Sequence, residues 1–287
     1  MTMRSVAATA LNRLPGSTRR SILHRLGRFA PWEEGFDFTP PALGPGEVSG
    51  PPDFVGVGAQ KAGTTWWYGL VTSHPGISAR PDVHKERHYL SRYGTVPFGP
   101  ADVAGYHGWF PRRPGTLAGE WTPDYMAYPW VAPLLARAAP RARLLVMVRD
   151  PVERFRSGLA HELRNGAPRS AATTAQAIER GFYHRALTTW WDHFDARSVL
   201  VLQYEQCVAD PARQLAATYR FLDLDDDYRP PGLDRPVSAT ERDRIDLDDE
   251  VRARLADLYA PDVADLAARV DSLDLSLWAN FSGTANR

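Results

Sequence analysis

The chain has 287 residues, 34 basic against 34 acidic side chains, and a single cysteine, a length ordinary for one large α/β domain that would bury roughly 75% of its unfolded surface. Balanced charge offers no case for a nucleic-acid partner. Cys207 alone rules out an internal disulfide framework, fits a reducing compartment and reads as a small buried apolar residue, and no apolar run approaches the roughly 20 residues that a membrane span needs.

No Asp or Glu precedes Glu33, whereas Arg4, Arg13, Arg19, Arg20, Arg25 and Arg28 all do. This Arg-rich stretch lacks a secretory apolar core. It reads either as a solvated leader or as a transit or lipid-surface helix with Ile22, Leu23, Leu26 and Phe29 on its apolar face. Gly and Pro crowd residues 39–52 (TPPALGPGEVSGPP), which predicts a linker. We therefore expect a basic leader and linker over 1–52 and one folded domain over 53–287.

The segment FVGVGAQKAGTTWWY (54–68) opens that domain. An apolar strand (Phe54, Val55, Val57) runs into a glycine-bearing turn and then a helix predicted over 64–73. That order gathers backbone N–H groups, the hydroxyls of Thr64 and Thr65, and the ammonium of Lys61 around one point, as a cradle for phosphate or sulfate requires. Lys61 is one of only two lysines in the chain. Gly58 and Gly63 begin like the nucleotide loop G-x-x-x-x-G-K-[ST], yet Thr64 stands where that loop needs its lysine. Lys61 instead sits inside the turn, aimed at the end of a shorter anion.

Further along, apolar runs alternate with helical patterns, the mark of βαβ units and a parallel sheet flanked by helices. Strands are predicted at 144–148 (LLVMV) and 199–204 (VLVLQY), and helices at 151–163, 175–194, 211–222 and 248–259. Residues 225–249 are acidic and weakly periodic, hence a long loop, and the amphipathic run from Leu247 to Val270 should break at Pro261. In RLLVMVRDPVERFRSG (143–158) a strand ends at Arg149, Asp150 caps the next helix with Pro151 at its first position, and Glu153 completes a capping box. Arg149 and Ser157 would converge on a second phosphate beyond the strand ends.

Together these two segments resemble the PAPS-dependent sulfotransferases, which use 3′-phosphoadenosine 5′-phosphosulfate. QKAGTTWW is similar to that family's 5′-phosphosulfate loop and VRDPVERFRSG to its 3′-phosphate motif. The layout is closest to the heparan-type glucosaminyl sulfotransferases and their bacterial relatives, and extends through KERHYL (85–90), YHGWFP (106–111), GEWTPDYM (119–126) and FYHRAL (182–187). The resemblance implies a P-loop-like single α/β domain that moves the sulfuryl group of PAPS to an acceptor hydroxyl, with no obligatory metal.

Carried over by position, Gln60, Lys61, Ala62, Gly63, Thr64 and Thr65 would hold the phosphosulfate, with Lys61 at the transferring group. Trp66 would stack on adenine or pack in the core. Arg149 and Ser157 would bind the 3′-phosphate, and Tyr204 would lie on the cofactor side or at a strand end. Glu86 matches the family's general base, and His88 would assist or replace it. On the acceptor side stand Lys85, Glu120, Trp121 and Tyr125, with Tyr128 and Trp130 extending an aromatic wall that also reads as core. One departure is Trp121, where the heparan-type enzymes commonly carry a lysine. Another is the basic loop that closes on the 3′-phosphate in cytosolic members, for which Arg242 and Arg244 are the only stand-ins.

The resemblance thus implies a carbohydrate or small-metabolite acceptor. Scarce lysine and abundant Arg and Ala suit a GC-rich bacterial genome and a cytoplasmic enzyme. Two other readings stay open: a P-loop small-molecule kinase using ATP and Mg²⁺, and a non-enzymatic nucleotide-binding or peripheral membrane adaptor whose basic N-terminus makes weak surface contact.

Overall fold

The computed structural model describes residues 39–80, 83–233 and 244–282, together with Thr18; the rest of the Arg-rich leader and Arg242 lie outside the described residues. Its centre is a four-stranded parallel sheet in the order β2-β1-β3-β4, formed by β1 (Phe54–Gly58), β2 (Gly119–Trp121), β3 (Arg143–Val148) and β4 (Val199–Gln203). Every residue of β1 is buried, as are the last five of β3. Such unbroken apolar strands are what a parallel sheet covered on both faces demands. From β1 the chain reaches β2 on one side and β3 on the other, so the strand order reverses at the β1–β3 crevice. Ligands of open α/β sheets bind at such a switch point.

The flanking helices are α1 (Thr64–Thr72), α2 (Pro100–His107), α3 (Val131–Ala138), α4 (Pro151–Arg164), α5 (Ala171–Glu179), α6 (Tyr183–Trp191), α7 (Tyr204–Ala209), α8 (Pro211–Phe221) and α9 (Asp249–Arg269). Short 3₁₀ turns cover Leu90–Gly94 and Pro123–Ala127. The predicted linker is irregular but tethered, since Val48 pairs antiparallel with Arg112 and Glu47 meets Arg80.

The structure corrects the sequence expectations in four places. Strand β2 was not foreseen: GEW is too short to show a period, and it forms because Trp121 lies across Gly56, where a side chain would collide with the indole. The indole N–H donates to Gly58 O at 3.1 Å. The predicted helix over 175–194 is two helices, parted at Gly181. A Cβ at Gly181 would lie 2.7 Å from the Tyr259 ring, and Asp262 of α9 accepts from the His184 and Arg185 backbone N–H groups at 2.9 Å, a cap for α6 supplied from a remote helix.

Conversely, α9 runs straight through Pro261 to Arg269. The carbonyl that loses its partner there belongs to the exposed Asp257, while Tyr259, Asp262, Val263 and Leu266 are buried on the inner face. Finally, Asp150 does cap α4, accepting from Val152 and Glu153 N–H, but the reciprocal half of the box is absent. The Asp150 N–H donates to Glu205 at 3.0 Å, and Glu153 faces Arg156, Arg244 and Arg252 at 3.1–3.2 Å instead.

Gly56→Ala should place a methyl against the Trp121 ring and lower stability by about 3 kcal/mol, as overpacking in a closed core does. Urea unfolding measures it, and Trp121→Leu in the same chain should return part of the loss; an unchanged midpoint in Gly56→Ala would refute this packing.

Candidate active site

The turn after β1 and the start of α1 have the geometry expected of an anion cradle. Ala62 is fully buried, Gly63 takes φ 94° as the N-cap of α1 without a side-chain cap, and the first turn of α1 holds no acidic residue. A Cβ on Gly63 would lie 2.7 Å from the Tyr204 ring, so glycine is required by both dihedral and contact. The N-terminal N–H groups of α1 and its dipole thus face the loop with the hydroxyls of Thr64 and Thr65 beside them. Lys61 itself has φ 68°. Only three non-glycine residues among the described ones have positive φ, and two of them, Lys61 and His88, belong to this site. Strain of that kind collects where function over-determines the backbone.

Arg149, at the end of β3, closes the other side of the crevice. It is 6% exposed; its Nη1 donates to Lys61 O at 3.4 Å, and its guanidinium carbon lies 4.8 Å from the centre of the Tyr204 ring. The two sequence motifs, 88 residues apart, therefore meet through Arg149 and the Lys61 turn. Ser157 is buried on α4. Trp66 is half-buried and sits edge-on to Tyr204 at 6.5 Å. Arg244 reaches Glu153 on α4 at 3.2 Å, bringing the 244–246 segment alongside the Arg149–Ser157 motif; Ile245 N–H donates to Arg156 O there.

Next to the cradle stands a chain of three charges. Lys85 Nζ contacts Thr64 Oγ1 and Thr65 Oγ1, each at 3.2 Å, and Glu86 Oε1 at 3.0 Å. Glu86 Oε2 meets His88 Nε2 at 3.2 Å. Burial pulls Lys85 below its ordinary value, against the opposing charge of Glu86. In Glu86, burial works upward, but the His88 hydrogen bond and the Lys85 charge outweigh it and hold the carboxyl at about 2. His88 is the mirror case: burial works downward, and Glu86, Asp124 and Glu120 more than offset it, so its pKa rises above 6.5.

Three residues expected on the acceptor side have no exposed surface. Glu120, Trp121 and Tyr125 are each 0% exposed, so they shape the site from beneath rather than line it. Glu120 accepts from Tyr106 at 2.6 Å, Thr122 at 2.5 Å, Tyr125 at 3.3 Å and the Arg87 N–H at 3.2 Å. Burial pushes its pKa up, with Thr122, Tyr106 and Arg87 opposing. Tyr128 and Trp130 are partly exposed and stack at 4.8 Å. The side chain of Gln60 is likewise committed elsewhere: it accepts from Arg180 at 2.8 Å and lies 3.4 Å from Glu162.

Arg180 is the residue that sequence reasoning missed. Its guanidinium joins Gln60, Glu162 at 3.0 Å and Asp124 at 3.4 Å, tying α4 and the Pro123–Ala127 turn to the β1 loop. Only the helix break near Gly181 would have drawn attention to it. His161, also on α4, is lowered by burial first and then by the Lys61 charge.

A model of the sulfotransferase family matches residues 101–228, and the described fold superposes on a sulfotransferase from Alicyclobacillus acidocaldarius with a TM-score of 0.63 at 24% identity, covering 79% of this chain and 98% of that one. Over residues 101–228 the chain is similar to the sulfotransferase family. Among curated proteins it is similar to human heparan sulfate glucosamine 3-O-sulfotransferase 3B1, 27% identical over 188 residues that cover 60% of this chain and 46% of the relative. It is also similar to mouse heparan sulfate glucosamine 3-O-sulfotransferase 6, 29% identical over 199 residues, 64% of this chain and 56% of the relative. The chain thus spans about half the length of the curated relatives it matches. A sulfotransferase from Mycobacterium avium shares the fold at a TM-score of 0.51 and 13% identity.

The Glu86–His88 pair has a defined pH signature. Glu86 is depressed, so its contribution to stability is present above 4.5 and is lost as pH falls toward about 2. His88 is raised, so its contribution is full below 6.5 and is lost as pH rises beyond its folded value. Asn tolerates the left-handed backbone at this position. The Tm gap between wild type and His88→Asn should therefore be widest between pH 4.5 and 6.5 and close on both sides. A gap independent of pH would show that the pair is not ionised as described.

Proposed function

We propose that this chain moves the sulfuryl group of PAPS to an acceptor hydroxyl on a carbohydrate or small metabolite. The observation that carries this is the contact of Arg149 with the Lys61 turn, which joins two anion-binding elements at one crevice and suits a ligand bearing two separate acidic groups. The residues present fit such a donor. Thr64, Thr65, the α1 N-terminus and Lys61 would hold its 5′-phosphosulfate, Arg149 and Ser157 its 3′-phosphate, and Tyr204 and Trp66 offer aromatic surface between them. The heparan sulfate acceptors named for the curated relatives favour a sugar hydroxyl.

When bound, PAPS supplies an activated sulfuryl group, whose sulfur bonds to the acceptor oxygen as its bond to the bridging phosphate oxygen breaks. The protein's part is positioning, charge stabilisation and proton removal. Lys61 places an ammonium beside the loop that binds the leaving phosphate. Glu86, ionised at neutral pH, takes the proton of the acceptor hydroxyl. Negative charge arriving at the loop would draw Lys85 and His88 away from Glu86 and strengthen it as a base. Arg180, through Asp124 and Glu162, keeps the acceptor side in register with the loop.

The kinase alternative would take Asp150, the acid just after β3, as a Mg²⁺ ligand, and both oxygens of that carboxylate are already engaged. One of its oxygens accepts from Val152 and Glu153 N–H, and the other from Asn280 N–H and Nδ2 at 3.1 and 2.8 Å. A cytoplasmic location and a weak surface role for the basic leader are part of the same proposal, drawn from composition.

Labelled PAPS offered with a panel of sugars and hydroxylated metabolites should yield a sulfated product. Lys61→Ala should abolish that product, and Glu86→Gln should keep PAPS affinity while slowing transfer by about 10² to 10⁴, the range for a general base. Wild-type turnover in Lys61→Ala would sink the proposal. Arg149→Ala should weaken PAPS binding more than adenylyl sulfate binding, by about tenfold or more for a lost charge-assisted contact; equal losses would remove Arg149 from the 3′-phosphate site.

A further inference from the structure

Of the chain's 34 basic side chains only two, Lys61 and Lys85, are lysines, and the fold brings both to one loop. Lys85 is fixed at its backbone, where its carbonyl accepts the Trp121 N–H of β2 at 3.0 Å. Its side chain is 13% exposed, and the ammonium touches three oxygens belonging to two different functional elements. Two are the hydroxyls of Thr64 and Thr65 in the cradle, each at 3.2 Å; the third is the Glu86 carboxylate at 3.0 Å. A compact ammonium with three rotatable hydrogens serves such a close three-way junction without the fixed plane that a guanidinium imposes on its donors. That suits a lysine at this position in a chain that otherwise uses arginine.

We propose that Lys85 is the second catalytic cation of the site, held between the anion cradle and Glu86 so that it binds the sulfuryl oxygens of the donor as they pass from the loop toward the acceptor. This assignment rests on the PAPS reading above. A group that leaves an anchor at Thr64 and Thr65 for an oxygen whose proton goes to Glu86 must pass beside an ammonium that contacts both ends. As Lys85 turns from Glu86 to that group, the carboxylate loses an opposing charge and becomes the stronger base, so donor occupancy and base strength are coupled through one side chain. Trp121 supplies no cation here, its indole being neutral and buried against Gly56; the charge comes instead from Lys85, to whose carbonyl its backbone N–H donates.

The scarcity of lysine makes the test direct. The full chain is exposed to limiting acetic anhydride alone, with PAPS, or with adenosine 3′,5′-bisphosphate, which lacks the sulfuryl group, and the Lys61 and Lys85 peptides are quantified by mass spectrometry. PAPS should slow acetylation of both lysines by about tenfold, the effect of a one-unit rise in amine pKa beside a bound anion, and the bisphosphate should protect Lys85 less. Protection of Lys61 without Lys85 would overturn this assignment alone. Protection of neither would overturn the PAPS reading and the assignment with it. By calorimetry Lys85→Met should weaken PAPS about tenfold or more, as loss of a charge-assisted hydrogen bond does, while adenosine 3′,5′-bisphosphate affinity stays within about threefold, which also establishes that the variant is folded. Equal loss for both nucleotides, or loss for neither, would overturn the assignment.

Discussion

The pairing of β1 with β3 is the constraint on which the site depends. Parallel strands end at the same edge of a sheet, so the turn after β1 and the residue after β3 emerge side by side however far apart they lie in the chain. The β1–β3 register runs from Phe54 opposite Arg143 to Gly58 opposite Val146, and the turn continues the contact when Ala59 N–H donates to Met147 O at 2.8 Å. Arg149 thereby lands on the Lys61 turn. A slip in that register would be costly, because a shift of one residue would reverse the faces of the strand and carry Gly56 out from under the Trp121 indole.

Charge around the crevice is arranged in alternation. Lys85, Glu86 and His88 form one line, and Arg180 with Glu162 and Asp124 forms another, so each partly buried charge has an opposite neighbour. Isolated charges of this kind would be expensive to desolvate; paired, they persist. Beneath them Glu120 gathers two tyrosine hydroxyls, a threonine hydroxyl and a backbone N–H. It supports the KERHYL segment through Arg87 N–H, so this wholly buried carboxylate holds the backbone of that segment from beneath.

The C-terminal region acts on the same edge from outside. Asp150 caps α4 and binds Asn280, while Trp278, fully buried, donates to Glu205 at 2.9 Å, whose other oxygen accepts from Asp150 N–H. This short network pins the last described residues to the junction that presents Arg149. The free Cys207 lies inside the core, where burial raises its thiol pKa and keeps it protonated.

What the sequence by itself determined is local. A β-rich apolar run, a glycine turn, paired hydroxyls and a helix start lie consecutively in 54–68, and the strand, cap and proline of 143–158 are equally contiguous, so both motifs, the parallel sheet and the resemblance to sulfotransferases were legible from residue order. What only the tertiary structure decided are the contacts between distant segments, whose partners no spacing announces: the meeting of Lys85 with Thr64 and Thr65, the cap that Asp262 gives α6, the passage of α9 through Pro261, the strand made possible by Trp121 over Gly56, and the burial of Glu120, Trp121 and Tyr125. Burial depends on what packs above a residue, and a hydrogen bond on where its partner is carried by the fold, and neither is a property of the local chain.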